Sequence, residues 1–136
     1  MSNETEKITI NLNVVDLAQV DVLVEQGLYS SRSDLIRGSI RKQLEIHKED
    51  IQRSLTPMGS KVEWVKTMGI CVVDKETLEE WASESNGKLN ISVIGMLVFG
   101  KDISLQLFEK TVGRVVVRGK IIASDEIKEA IKKMKT

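Results

Sequence analysis

The sequence is poor in the residues that form disulfides and metal sites. It has one cysteine, Cys71, and one histidine, His47, in 136 residues. A single cysteine excludes an internal disulfide framework, and these two side chains are too few for a typical zinc site within one chain. We therefore expect no structural metal and no cofactor. Cys71 lies in the apolar run GICVV, which favours a buried small side chain over a nucleophile.

Long apolar runs and an excess of either charge are also missing. No apolar run reaches membrane-spanning length, and the polar start MSNETEK lacks the basic and apolar regions of a signal peptide. These features predict a soluble, cytoplasmic protein without a membrane partner. Basic and acidic residues number 20 each, so the formal net charge is zero. This balance argues against a protein that coats nucleic acid by bulk charge, and any such binding must be local.

Proline occurs once, as Pro57 in the stretch SLTPMGS. Clusters of Ser, Thr, Pro and Gly between patterned regions are typical of connections. We therefore predict two domains, residues 1–54 and 62–136, joined by a linker over 55–61. The 41% hydrophobic content is sufficient for a core in each part.

The N-terminal part opens with KITINLN, a strictly alternating segment over residues 7–13. Such alternation predicts a β-strand with one polar and one apolar side. The polar side consists of Lys7, Thr9 and Asn11, and the apolar side consists of Ile8, Ile10 and Leu12. A lone strand leaves its backbone groups unpaired, so we expect it to pair antiparallel with the same strand of a second copy. The resulting ribbon would present six polar side chains and would fit the major groove of DNA.

Two helices are predicted after this strand. Asn13 is a suitable N-cap for the first helix, and Gly27 is a suitable stop. The second helix opens at Ser31, and Asp34 three residues later completes a pattern similar to a capping box. An apolar stripe is expected along the second helix at Leu35, Ile36, Ile40, Leu44 and Ile51.

The order of strand, helix, Gly27 and LYSSRSDLIRGSIRKQL resembles the ribbon-helix-helix DNA-binding domains, which include the Arc and methionine repressors and the CopG-type regulators. The resemblance covers residues 5–50. It implies that Lys7, Thr9 and Asn11 contact bases, while Ser31, Arg32 and Ser33 hold a phosphate. A helix N-terminus offers free amides and the positive end of a dipole to such an anion.

The C-terminal part repeats a pattern around three glycines, Gly69, Gly95 and Gly119, which are 26 and 24 residues apart. Each unit reads as a strand, the glycine, a second short apolar run and a helical segment. Three such units predict a solenoid-like domain or a small α/β sandwich, within an α+β protein. A ferredoxin-like βαββαβ domain is the alternative. The segment ISLQLFEKT in the second unit is rich in β-favouring residues, which disfavours a helix there.

No catalytic constellation is visible. Glu76, Glu79, Glu80 and Glu84 have the spacing of a solvated helix face, so we expect a protein that is not an enzyme. The sequence favours a site-specific transcriptional regulator of bacterial type, a nucleoid-associated repressor. Its expected partners are double-stranded DNA and further copies of itself, as a homodimer or a higher oligomer formed through residues 62–136. Two alternatives stay open, an antitoxin that binds a protein partner through its C-terminal half and an assembly scaffold.

Overall fold

A computed structural model of the protein describes residues 5–85 and 87–134. The chain forms two compact units, one that extends to Lys48 and one that begins at Glu49. Helices and parallel strands are both present, which confirms a mixed helix and strand protein. The assignment of residues 55–61 as a linker between functional domains stays a prediction.

The first unit contains helices α1 (Val14–Glu25) and α2 (Arg32–Ile46), which pack against each other. The predicted start of α1 is confirmed, since the Asn13 side chain accepts a hydrogen bond from the backbone N–H of Val15 at 2.8 Å. The predicted stop is confirmed too. Gly27 follows the helix with φ of 78°, a left-handed conformation that glycine adopts without a steric penalty.

The apolar stripe predicted along the second helix is shorter than expected. Helix α2 ends at Ile46 with His47 as its C-cap, and the chain then forms a separate short helix, α3 (Lys48–Arg53). Ile51 lies on α3, so its assignment to the stripe of the second helix was wrong. The helical spacing of apolar residues continues in the sequence beyond Ile46. The backbone of His47, with φ of −98° and ψ of 14°, nevertheless interrupts the helix.

The second unit is built on a three-stranded parallel sheet in the order β1-β2-β3. A helix follows each strand. The strands are β1 (Val65–Val73), β2 (Leu89–Phe99) and β3 (Val112–Ile122), and the helices are α4 (Lys75–Glu84), α5 (Leu105–Thr111) and α6 (Asp125–Met134). The alternative ferredoxin-like fold was wrong, because that arrangement requires antiparallel pairs and all pairs here are parallel.

The three glycines of the repeated pattern lie side by side across the sheet. Gly69 pairs in register with Gly95, and Gly95 pairs with Gly119. Each strand continues through its glycine, so the expectation of two separate apolar runs per unit was wrong. The glycines have φ between 126° and 133°. This backbone conformation is open to glycine and strained for other residues, and here it occurs inside a continuous strand.

Helix α5 forms despite the β-favouring composition of its sequence. The hydroxyl of Ser104 accepts a hydrogen bond from the backbone N–H of Leu107 at 3.1 Å, which caps the helix. Phe108 is fully buried and meets Phe99 edge to face, with ring centroids 5.4 Å apart. Burial of this large ring outweighs the weak helix propensity of the segment.

The core of the second unit lies between the sheet and its three helices. Its members include Val73, Leu78 and Phe108, all fully buried, and Ile131, which is 2% exposed. Cys71 belongs to this core, which confirms the prediction of a buried small side chain. No helix of the described residues is both long enough and apolar enough to cross a lipid bilayer.

Candidate nucleic-acid interface

Residues 5–13 precede α1 and pair with no strand of the described chain. The polar side chains predicted to read bases, Lys7, Thr9 and Asn11, are all exposed. The intervening apolar side chains are exposed as well, with Ile8 at 73%, Ile10 at 55% and Leu12 at 40%. Exposed apolar side chains in such a row lack the cover that a stable structure normally gives them.

The apolar side of this segment faces a shallow hollow on α2. Ile8 and Ile10 line the hollow together with Ile36 and Ile40. Lys7 and Ser33 lie at the same hollow, so the fold places one predicted base-contacting residue near one predicted phosphate-contacting residue. The segment therefore lies along the helix whose N-terminus was predicted to bind phosphate.

Local hydrogen bonds fix the N-terminus of α2. The Ser31 hydroxyl accepts a hydrogen bond from the backbone N–H of Asp34 at 3.0 Å. The Asp34 carboxylate in turn accepts one from the backbone N–H of Ser30 at 3.1 Å. The predicted capping pair is confirmed, although Asp34 reaches the residue before the cap, where a capping box would use the cap itself. The Ser31 hydroxyl still has its own proton to donate.

Arg32, predicted to hold a phosphate, forms an ion pair with Asp21 of α1. Its Nε and Nη2 donate to the two carboxylate oxygens of Asp21 at 2.7 and 2.9 Å, a bidentate geometry. The hydrogen bond from Arg32 holds the pKa of the Asp21 carboxyl below its ordinary value. The same bond raises the pKa of the Arg32 guanidinium, which therefore stays cationic.

This ion pair changes the electrostatics of the helix start. The pair uses two of the five guanidinium N–H groups, so three stay available to an anion. Two carboxylates, Asp21 and Asp34, lie close to the same helix end and partly offset its positive charge. An anion at this site therefore meets a partly neutralised surface.

Sequence reasoning missed Asp21. It lies eleven residues before Arg32, on another helix, so no helical i,i+3 or i,i+4 spacing links the two side chains. The pair forms only because α1 and α2 pack together. One signal for this pair was available in the sequence. Helical spacing places position 21 on the packed face of α1, and the residue there is charged.

The acidic, histidine and cysteine side chains of the described residues lack the arrangement of a metal site. Within residues 5–85 and 87–134, no group of three or more His, Cys, Asp or Glu side chains is arranged to hold a metal ion. The glutamates of α4 are exposed, as a solvated helix face would be.

The comparison with protein families settles what kind of protein this is. The model of a family described as ribbon-helix-helix transcriptional regulators matches residues 3–128. The chain belongs to the ribbon-helix-helix transcriptional regulator family. No curated protein and no solved structure gave a match.

The family match reaches well beyond the segment that carried the resemblance in the sequence. It includes all three strands of the sheet and the start of α6. The assignment of the resemblance to residues 5–50 alone was therefore too short. The match therefore covers the residues that form the parallel sheet as well as those of the first unit.

Proposed function

We propose that this ribbon-helix-helix regulator is a homodimeric transcriptional repressor that recognises specific DNA sequences. Residues 7–13 of two copies form an antiparallel ribbon that enters the major groove. In this arrangement Lys7, Thr9 and Asn11 contact base edges, and Ser31, Arg32 and Ser33 contact the phosphate backbone.

The incomplete burial of the first unit is the observation that supports this proposal most. None of its described residues is buried in a single chain. Ile40 is 46% exposed and Leu44 is 53% exposed on α2, in addition to the isoleucines of the N-terminal segment. A second copy covers these side chains and supplies the missing strand partner, which leaves only the polar side of the segment facing outward.

The zero net charge is compatible with this role. A ribbon takes its specificity from a few base contacts, so only a small number of cations has to face the phosphates. Arg37, Arg41 and Lys42 lie exposed along α2 and add positive charge to the unit that contains the ribbon. The folded sheet and helices of residues 65–134 do not favour the antitoxin alternative, which was tied to an unfolded C-terminal segment.

The test is selection of bound sequences from a random DNA library, at near-physiological salt so that non-specific binding is suppressed. We expect enrichment of a short inverted or direct repeat. Lys7→Ala and Asn11→Ala should then each weaken binding to that sequence by roughly 1–3 kcal/mol per lost base contact. Lys110→Ala, on α5 in the second unit, is the control and should bind like the wild type.

The contrary results are equally clear. If the Lys7→Ala and Asn11→Ala variants bind the selected sequence as tightly as the wild type, the ribbon is not the reader. If no sequence is enriched by a folded protein, the proposal fails as a whole, and the result favours the alternative of a protein partner.

A further inference from the structure

The sheet of the second unit has two free edges among the described residues. Strand β1 lies at one edge and β3 at the other, and each pairs only with β2. Strand β1 is nine residues long, and two of its apolar side chains are accessible on the face opposite the buried Cys71 and Val73, with Met68 41% exposed and Ile70 45% exposed. A long apolar edge strand without proline is a ready template for pairing with another strand.

The two edges match each other in shape. A Cβ atom at Gly119 would lie 1.9 Å from the carbonyl oxygen of Gly95, and one at Gly95 would lie 2.1 Å from that of Gly69. Gly95 and Gly119 therefore each pack the Cα atom against the carbonyl group of the glycine on the preceding strand. At Gly69 the same direction leads into open space, with nothing within 4 Å. The β1 edge therefore has room beside Gly69 for one more backbone carbonyl group. The outer edge of β3 presents a carbonyl group of this kind.

The two ends of the unit also match in charge. Strand β1 and helix α4 contain two lysines and four glutamates, a formal charge of −2. Strand β3 and helix α6 contain six basic and three acidic residues, a formal charge of +3. The middle of the unit, β2 with α5, has one charge of each sign. Opposite charges at the two ends favour a head-to-tail contact and disfavour contact between identical ends.

We propose that the β3 edge of one copy pairs in parallel with the β1 edge of a second copy, so that the sheet and the row of glycines continue from chain to chain. The partner is this same protein, and the contact is heterologous, since it joins two different edges. In a pair of copies one β1 edge and one β3 edge stay free, so the association can extend beyond two chains. The proposal concerns the second unit alone and does not depend on DNA binding.

The register of the contact follows from the sheet itself. Met68 pairs with Ile94, and Ile94 pairs with Arg118, so these residues form one row. Continuing the sheet with the glycines aligned places Arg118 of one copy beside Met68 of the next. Neighbouring strands are about 4.8 Å apart, a distance that a disulfide can span.

The test mixes two full-length variants under mild oxidation. One carries Met68→Cys and the other Arg118→Cys, so each has one cysteine in addition to the native Cys71. Both positions are exposed, so the fold should tolerate either change. We expect a disulfide-linked product that contains one chain of each kind. The control replaces Arg118→Cys with Val116→Cys, two residues away on the same strand, which places the Cα atoms about 8 Å apart, beyond the reach of a disulfide.

The possible outcomes separate the alternatives. A mixed product with Arg118→Cys and its loss with Val116→Cys support the proposal. Equal yields with both variants, or a product made mainly of two Met68→Cys chains, overturn it. Sedimentation of the wild type gives a second readout, in which association between second units should weaken as salt rises. Lys7→Ala, which tests DNA reading, should leave the cross-link unchanged, so failure of one proposal is distinguishable from failure of the other.

Discussion

The two units of this regulator differ in how completely one chain forms their cores. In the second unit Val73, Leu78 and Phe108 are fully buried between a sheet and helices. In the first unit no described residue is buried, and Ile8 and Ile10 are more than half exposed. Short helical units bury too little apolar surface to be stable alone. The contrast shows that one chain forms a buried core in the second unit and none in the first, as expected if the first unit is completed by a second copy, as we propose.

The largest effect is expected where the second unit is most tightly packed. Gly95→Ala places a methyl group 2.1 Å from the Gly69 carbonyl oxygen, a contact that only a movement of the backbone can relieve. We expect a loss of more than about 4 kcal/mol in the free energy of unfolding. Both tryptophans, Trp64 and Trp81, lie in the second unit, so tryptophan fluorescence during urea unfolding reports on it specifically.

Two further glycines provide matched controls. Gly69→Ala meets no atom of its own chain within 4 Å, so in the unassociated protein it incurs only the strain of its positive φ, about 1–3 kcal/mol. Gly38→Ala lies inside α2 with open space around it and should stabilise the first unit by about 0.5–1 kcal/mol. If Gly95→Ala and Gly69→Ala cost the same, the close backbone contact is not the reason for glycine at these positions.

The next largest effect tests whether the first unit needs a second copy. Ile10→Asp puts a charge on the apolar side of the N-terminal segment and should remove about 1.5–3 kcal/mol of burial per copy. Because the dimer contains two copies of the change, its dissociation constant should rise at least about a hundredfold. Sedimentation over a range of protein concentrations measures this change.

Thr9→Asp is the control on the opposite side of the same segment. It should leave the dimer intact and weaken DNA binding, because the added carboxylate faces the groove. If Ile10→Asp and Thr9→Asp associate equally well, the apolar side of the segment is not a dimer contact.

The same contrast explains which features the sequence alone could predict. Caps at Asn13 and Ser31 depend on side chains that bond to backbone two or three residues away, so a short stretch of sequence contains all the information. The alignment of Gly69 with its two counterparts was visible as a period, since each unit of the sheet repeats the one before. Their place inside continuous strands was not visible, because it depends on how neighbouring strands approach.

Features that depend on packing between distant residues were not predictable. The pairing of Arg32 with Asp21 requires that α1 and α2 be placed correctly. Helix α5 forms although its residues favour a strand, because Phe108 is buried in a core to which other segments contribute. In the N-terminal segment the alternation was clear, but its neighbour belongs to another chain in the arrangement we propose.

A smaller effect is expected at the Arg32 ion pair. Asp21→Asn removes one negative charge near the start of α2 and leaves the cationic guanidinium there without an ionic partner. DNA affinity should rise by roughly two- to fivefold, the scale of one screened surface charge. Titration of the selected DNA sequence at two salt concentrations measures the change, and the gain should shrink at the higher salt. Unchanged or weaker binding would mean that Arg32 does not contact phosphate.

The smallest effect concerns pH and the cap of α4. A hydrogen bond from the backbone N–H of Thr77, 2.7 Å long, holds the pKa of the Asp74 carboxyl below its ordinary value. A carboxyl whose pKa is lower in the folded state stabilises the fold above its unfolded pKa of about 3.9, and this contribution is lost as the pH falls through the folded pKa. Asp74→Asn retains an N-cap acceptor and removes the titration. The variant should therefore be slightly less stable than the wild type at neutral pH, and the difference should close in acid. Tryptophan fluorescence during urea unfolding measures both proteins, and a difference that grows as the pH falls would contradict the assignment of the Asp74 charge to the cap.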